Sequence, residues 1–218
     1  SWAGPGMKAG RPVRLLQGLR SEGVSGVGQY QLADNGWLVY APGENAAVGQ
    51  LVALTRAQVL ESLPVPRGVI SQFDFSPKRN RLAVTSVVAD GAELSVYDAV
   101  TGKGGRWLLE ATVAEPRWNP SGDRLAVVAG NRAVVGDPDA SVAPQKLIDA
   151  PFSPSAWPRE DLVIGSLVSG AAYGTDVVLL HRPPAGVTAD TLRAVGTQSR
   201  AVLSPDGKHY ILDGEKMW

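Results

Sequence analysis

Few residues in this sequence could carry chemistry. There is no cysteine in 218 residues, and His181 and His209 are the sole histidines. A nucleophilic triad would need Ser or Thr beside one of those two, and no Gly-x-Ser-x-Gly elbow is present; "GVSGVG" at 23–28 has the wrong spacing. Two histidines without cysteine are a poor ligand set for zinc. "GDPDAS" at 136–141 places Asp137 and Asp139 at alternate positions, which could offer oxygens to Ca²⁺, but no Glu follows at EF-hand spacing. It reads better as a turn between two strands. "TGKGG" at 101–105 is glycine-rich without the P-loop pattern and joins two strands. The carboxylate pairs Glu160-Asp161 and Asp34 with Glu44 have nothing that places them in one cleft. The expectation is no catalytic residue, no metal and no cofactor.

The elements around these residues are more informative. Net charge is zero, which removes bulk attraction to nucleic acid or to an anionic membrane surface. The longest weakly polar run, 162–174, is too short to span a bilayer. No signal peptide is visible, and the sequence starts at Ser1. Glycine (25) and proline (16) are scattered through the chain, as punctuation between many short strands. The best helical stretch is "VTADTLRAV" at 187–195.

A turn followed by a hydrophobic strand recurs. Its copies are "LADNGWLVY" at 32–40, "FSPKRNRLAVT" at 75–85, "WNPSGDRLAVV" at 118–128, "AWPREDLVIG" at 156–165 and "LSPDGKHYIL" at 203–212. The aligned turn residues Asp34, Pro77, Pro120, Pro158 and Pro205 are 43, 43, 38 and 47 apart. Proline presets φ, Asp bonds its own backbone and Gly accepts positive φ, so Ser-Pro-Asp-Gly makes a tight turn. A period near forty residues accommodates four average strands. In the second copy, strands are predicted at 69–75, 81–87, 92–98 and 106–112, with turns at Asp90-Gly91 and Thr101-Gly102. A four-stranded meander repeated about an axis is a β-propeller blade. A β-sandwich also turns every ten residues or so, but does not require one turn sequence at every fourth turn. Trp118 and Trp157, at matched positions before the turn, are expected in the core between blades.

The fold expected is therefore all-β: five four-stranded blades in residues 11–218, behind an N-terminal tail, 1–10. The strand at Pro12–Gln17 would complete the last blade and close the ring, which hides exposed strand edges. The alternative is a fragment of a six-bladed propeller.

The repeats "LSPDGKHYIL", "WNPSGDRLAVV" and "FSPKRNRLAVT" resemble the WD40-like repeat of TolB-type β-propellers. Residues 11 to about 128, including "RPVRLLQGLRS", "GVGQYQLADNGWLVYAPG" and "FDFSPKRNRLAVT", are similar to the propeller region of bacterial receptor-type serine/threonine kinases. Lys78-Arg79-Asn80 and Arg159-Glu160 stand where that repeat usually has Asp-Gly, and no kinase motif is present. The resemblance implies a propeller fold and an extracytoplasmic, periplasmic setting, without phosphotransfer by this chain. The function expected is a non-catalytic interaction or scaffold subunit bracing a larger assembly, a membrane complex among the candidates. The alternatives are a ligand-sensing propeller and a hydrolase- or peptidase-associated domain. Contact surfaces are expected on the tail with Trp2, the loop 41–48 with Glu44 and Asn45, the loop 182–190 with Arg182, and Trp218.

Overall fold

The structure is a computed structural model that describes residues 14, 16–20, 28–32, 36–43, 48–55, 57, 59–168, 175–181, 187–192, 198–203 and 210–214. The chain lays down one small antiparallel sheet after another. The first contains β1 (Tyr30–Leu32), β2 (Leu38–Tyr40), β3 (Val52–Leu54) and β4 (Leu60–Ser62). The second contains β5 (Val69–Phe75), β6 (Arg81–Val88), β7 (Gly91–Asp98) and β8 (Gly104–Glu110). The third contains β9 (Val113–Trp118), β10 (Leu125–Ala129), β11 (Arg132–Gly136) and β12 (Gln145–Lys146). The fourth contains β13 (Phe152–Arg159), β14 (Leu162–Val168), β15 (Thr175–His181) and β16 (Thr188–Leu192). A fifth, two-stranded among the described residues, pairs β17 (Gln198–Leu203) with β18 (Tyr210–Gly214). Each complete sheet is a meander in sequence order, as a propeller blade requires.

The middle strands show why the sheets stack. In β6, "RLAVTSVV", Leu82 to Thr85 are buried without interruption, although their side chains alternate between faces. Both faces are covered: Leu82 and Val84 pack with Val39, Leu51 and Ala53 of the first sheet, while Ala83 packs with Trp118, Leu125 and Val127 of the third. Ala126, Val135 and Trp157 continue the stack from third sheet to fourth. Trp118 and Trp157 thus lie in the cores between sheets, as their matched positions predict.

The turns follow their chemistry. Between β7 and β8 the Asp98 carboxylate accepts the N–H groups of Val100 (3.0 Å) and Thr101 (2.7 Å) and the Thr101 hydroxyl. The bonds from Thr101 hold the Asp98 carboxyl below the usual carboxylate range. Gly102 sits at φ +70, and a Cβ there would lie 2.1 Å from the Pro64 carbonyl oxygen, in the connection entering the second sheet. Gly102→Ala combines left-handed strain of roughly 1–2 kcal/mol with that collision. The expected loss is at least about 2 kcal/mol, checked by urea unfolding; a loss below about 0.5 kcal/mol would count against the close approach.

Three expectations change here. Residues 188–192, read as helical from the sequence, form β16, the fourth strand of its sheet, paired with β15 from Val177↔Leu192 to His181↔Thr188. The free edge of β15 supplies a ladder that a weak local helical preference cannot match. Pro158 lies within β13 and not in a turn: Arg159 pairs directly with Leu162, so the hairpin turns on Glu160-Asp161 alone. Strand four of the second sheet begins at Gly104, two residues earlier than the sequence indicates. Of the closing strand expected at Pro12–Gln17, Arg14, Leu16 and Gln17 are described and none of them lies in a strand; the other three residues lie outside the described ones. Just after it, Leu19 makes an isolated bridge to Pro42, and Arg20 donates its N–H to the Ala41 carbonyl (2.9 Å), so this segment is pinned beside the end of β2.

Candidate functional site

Residues of the first strand of each of four sheets, β1, β5, β9 and β13, and of the turns beside them line a cavity of about 520 Å³. Its polar wall includes residues at matching repeat positions: Gln29 and Gln72 form one set, whose next member is Glu115 just outside the lining, and Gln31, Asp74 and Arg117 form another. The alternation of an inner strand points such residues toward the neighbouring sheet, where they meet backbone.

The contacts repeat from sheet to sheet. Gln31 accepts the Phe75 N–H and donates to the Asp74 carboxylate (2.8 Å) and the Phe75 carbonyl (3.2 Å). One register on, Asp74 Oδ2 accepts the Trp118 N–H (2.7 Å), and Trp118 Nε1 donates to the Asp74 carbonyl (3.2 Å). Gln72 accepts the Glu115 N–H and donates to the Glu115 carboxylate (3.2 Å). Arg117 donates to the Ser155 carbonyl of the fourth sheet (2.6 Å) and pairs with Glu115 (2.9 Å). Glu115 has φ 54, the one non-glycine described residue in the left-handed region, and its two hydrogen bonds with Gln72 hold it there. These side chains act as clasps between successive sheets.

Asp74 is the most perturbed of them. Burial pushes its carboxyl up to about 6, opposed by the Arg117 charge and by the bonds from Trp118 and Gln31. A carboxyl titrating there has the pKa of a proton carrier. Both of its oxygens are already engaged, so the arrangement holds three sheets together before it does anything else.

The residues singled out from sequence fall elsewhere. Asp139 is bound by Arg81 through two 2.9 Å contacts, and Asp137 accepts the Asp139 N–H (2.9 Å), so this segment is the turn between β11 and β12 and ties the third sheet to the second. Glu160 accepts from Asn119 Nδ2 and the Ser121 N–H, both 2.8 Å, locking the third sheet's turn to the fourth sheet. His181 ends β15 and lies 3.3 Å from Asp190 of β16. Trp2, Asp34, Glu44, Asn45, Arg182, His209 and Trp218 lie outside the described residues. The inter-sheet clasps were missed in the sequence, although the spacing of 43 between Gln29, Gln72 and Glu115, and between Gln31, Asp74 and Arg117, is a signal that the repeat alignment contains. Among the described residues, no group of three or more His, Cys, Asp or Glu could hold a metal ion, and no helix is long and apolar enough to cross a membrane.

Neither a family model nor a curated protein matches the sequence. Solved structures do match. A structure described as TolB from Agrobacterium tumefaciens superposes with a TM-score of 0.68 over 84% of this chain and 68% of its own length, at 12% identity. The fold is a β-propeller of the kind seen in TolB. TolB from Acinetobacter baumannii matches at TM-score 0.57 and 13% identity, over 84% of this chain and 45% of that one. The β-propeller domain of the Trilobed protease from Pyrococcus furiosus matches at 0.56 and 13%, over 86% and 64%. The propeller described here thus spans about half to two thirds of the length of these structures. At such identities the likeness is one of fold.

Proposed function

We propose that this propeller is a non-catalytic protein-interaction module. The observation that carries the reading is the use made of the channel wall. Gln31, Gln72, Asp74 and Arg117, which could have faced a substrate, bind the backbone or side chains of the next sheet. The product is a rigid stack that presents loops at its two faces, and rigid scaffolds with exposed loops suit docking. The resemblance of the repeats to TolB-type and kinase-linked propellers supports an extracytoplasmic setting and a partner in a larger assembly. The purified chain, immobilised and exposed to detergent-solubilised envelope from its source, is expected to retain a defined partner at fixed stoichiometry. A chain that stays monomeric and retains nothing refutes the reading.

A second reading, a ligand-sensing domain related to receptor-kinase propellers, is favoured by the 520 Å³ cavity, which lies in the size range of small-molecule sites. Calorimetry with cell-envelope metabolites separates the two: saturable heat favours sensing.

A further inference from the structure

The series of clasps ends at the fourth sheet. Gln31, Asp74 and Arg117 are followed at the same repeat position by Ala156, and Gln29, Gln72 and Glu115 by Pro154. Neither side chain has a polar group with which to reach onward. The cavity wall on this side consists of Ser155, Ala156, Trp157 and Pro158. Trp157 differs here from its counterpart. Trp118, at the same repeat position, donates its Nε1–H to the Asp74 carbonyl (3.2 Å), whereas Trp157 is 7% exposed and its Nε1–H has no hydrogen-bond partner among the described residues. A buried donor without an acceptor is costly, and an acceptor brought into the cavity relieves that cost.

The neighbouring wall carries both signs of charge. Arg117 uses three of its five N–H groups, on Ser155, Pro116 and Glu115, and two remain. Asp74 accepts one hydrogen bond at each oxygen and keeps a second lone pair on each. The Arg117 charge acts on the Asp74 carboxyl, so the two lie within electrostatic reach of one another. Glu115, paired with Arg117, makes the set net negative: two carboxylates against one guanidinium. A simple acid meets that excess of negative charge. A simple amine leaves Arg117 and the Trp157 N–H without an acceptor. A molecule with an ammonium and a carboxylate suits both poles. Beside them, Tyr30 lines the cavity at 59% exposure and Phe73 lines it too, an aromatic wall for an aromatic side chain.

We propose that the cavity binds a free aromatic α-amino acid, its carboxylate on Arg117 and the Trp157 N–H, its ammonium on Asp74 and its ring against Tyr30 and Phe73. This rests on the ligand-sensing reading above and narrows it to one chemical class. The ligand takes the donors and lone pairs that the clasps leave over, so the bonds between sheets persist when it binds. It adds contacts to the second, third and fourth sheets at once, through Asp74, Arg117 and Trp157. A ligand held by the folded chain alone stabilises it by mass action, so occupancy raises the melting temperature.

Calorimetry and thermal unfolding of the whole chain with L-phenylalanine, 2-phenylethylamine and 3-phenylpropionate test it. The three share a ring and differ in charge. L-phenylalanine is expected to give saturable heat and a higher melting temperature. The amine and the acid, each lacking one pole, are expected to bind at least about tenfold more weakly. Asp74→Asn keeps an acceptor for the Trp118 N–H. It is expected to weaken L-phenylalanine by about tenfold and to leave 3-phenylpropionate no weaker, a split that a loosened fold does not produce. Thermal unfolding of the variant without ligand confirms that it folds. Equal binding of the three probes, or tighter binding of the amine or the acid, overturns the amino-acid assignment and leaves the sensing reading standing. L-phenylalanine without heat or thermal shift also overturns it; saturable binding of another envelope metabolite then preserves sensing, and silence from every ligand removes both.

Discussion

Trp118→Ala is expected to lower stability by about 3–5 kcal/mol, in the range for deleting a large buried aromatic side chain. Several contributions are lost together. The ring is 3% exposed in the core shared by the second and third sheets. The Arg81 guanidinium stacks 4.9 Å above it, and Nε1 bonds the Asp74 carbonyl. Arg81 also holds Asp139, so the ring supports an ion pair that spans the same seam. In a chain of this length the loss corresponds to a fall in melting temperature of roughly 10 °C. Trp118→Phe keeps the apolar contact and the stacked cation, and is expected to recover more than half of it. Urea unfolding of the three proteins measures this; a Trp118→Ala loss under about 1 kcal/mol would show that the seam carries little of the stability.

The second large effect is a pH dependence that originates at Asp74. Its carboxyl titrates near 6 in the folded chain and near 3.8 when unfolded. Between these values the folded state binds the extra proton, so stability rises as pH falls from about 6 to about 4 and is constant from this source above 6. The shift corresponds to at most about 3 kcal/mol, reduced because the residue keeps partial exposure. Asp98 and Asp123 oppose it: hydrogen bonds from Thr101, and from Ser121 and Asn119, lower their carboxyl pKa values, and their contribution is lost as pH falls. Asp74→Asn isolates the effect. It removes the titration while leaving an acceptor for the Trp118 N–H, so subtracting its pH–stability profile from that of the parent should leave a term rising toward pH 4. Parallel profiles between pH 4 and 6 would show that the Asp74 carboxyl is not perturbed in the folded chain.

Much of the fold was legible because its determinants are local. The second sheet's first strand is found at the predicted residues, Val69–Phe75, and its second and third differ by one residue at an end. Proline, Asp and Gly set those turns, and unbroken apolar runs such as Leu82–Val84 mark strands covered on both faces. The matched tryptophans identified the seams. Less was legible where a distant partner decides. "VTADTLRAV" carries no strong strand signal, and its core becomes β16 because β15 leaves an edge to fill. Gln31, Gln72 and Asp74 look like ordinary polar residues until the next sheet brings a backbone N–H to each.

The sequence by itself determined that this chain would form repeated four-stranded meanders, because turn chemistry and the covering of strands on both faces are encoded within each forty-residue unit. The tertiary structure alone decided which polar residues became clasps and how far the Asp74 carboxyl is perturbed. Those properties depend on which sheet stands next to which, and residues about forty positions apart acquire them only when the stack assembles.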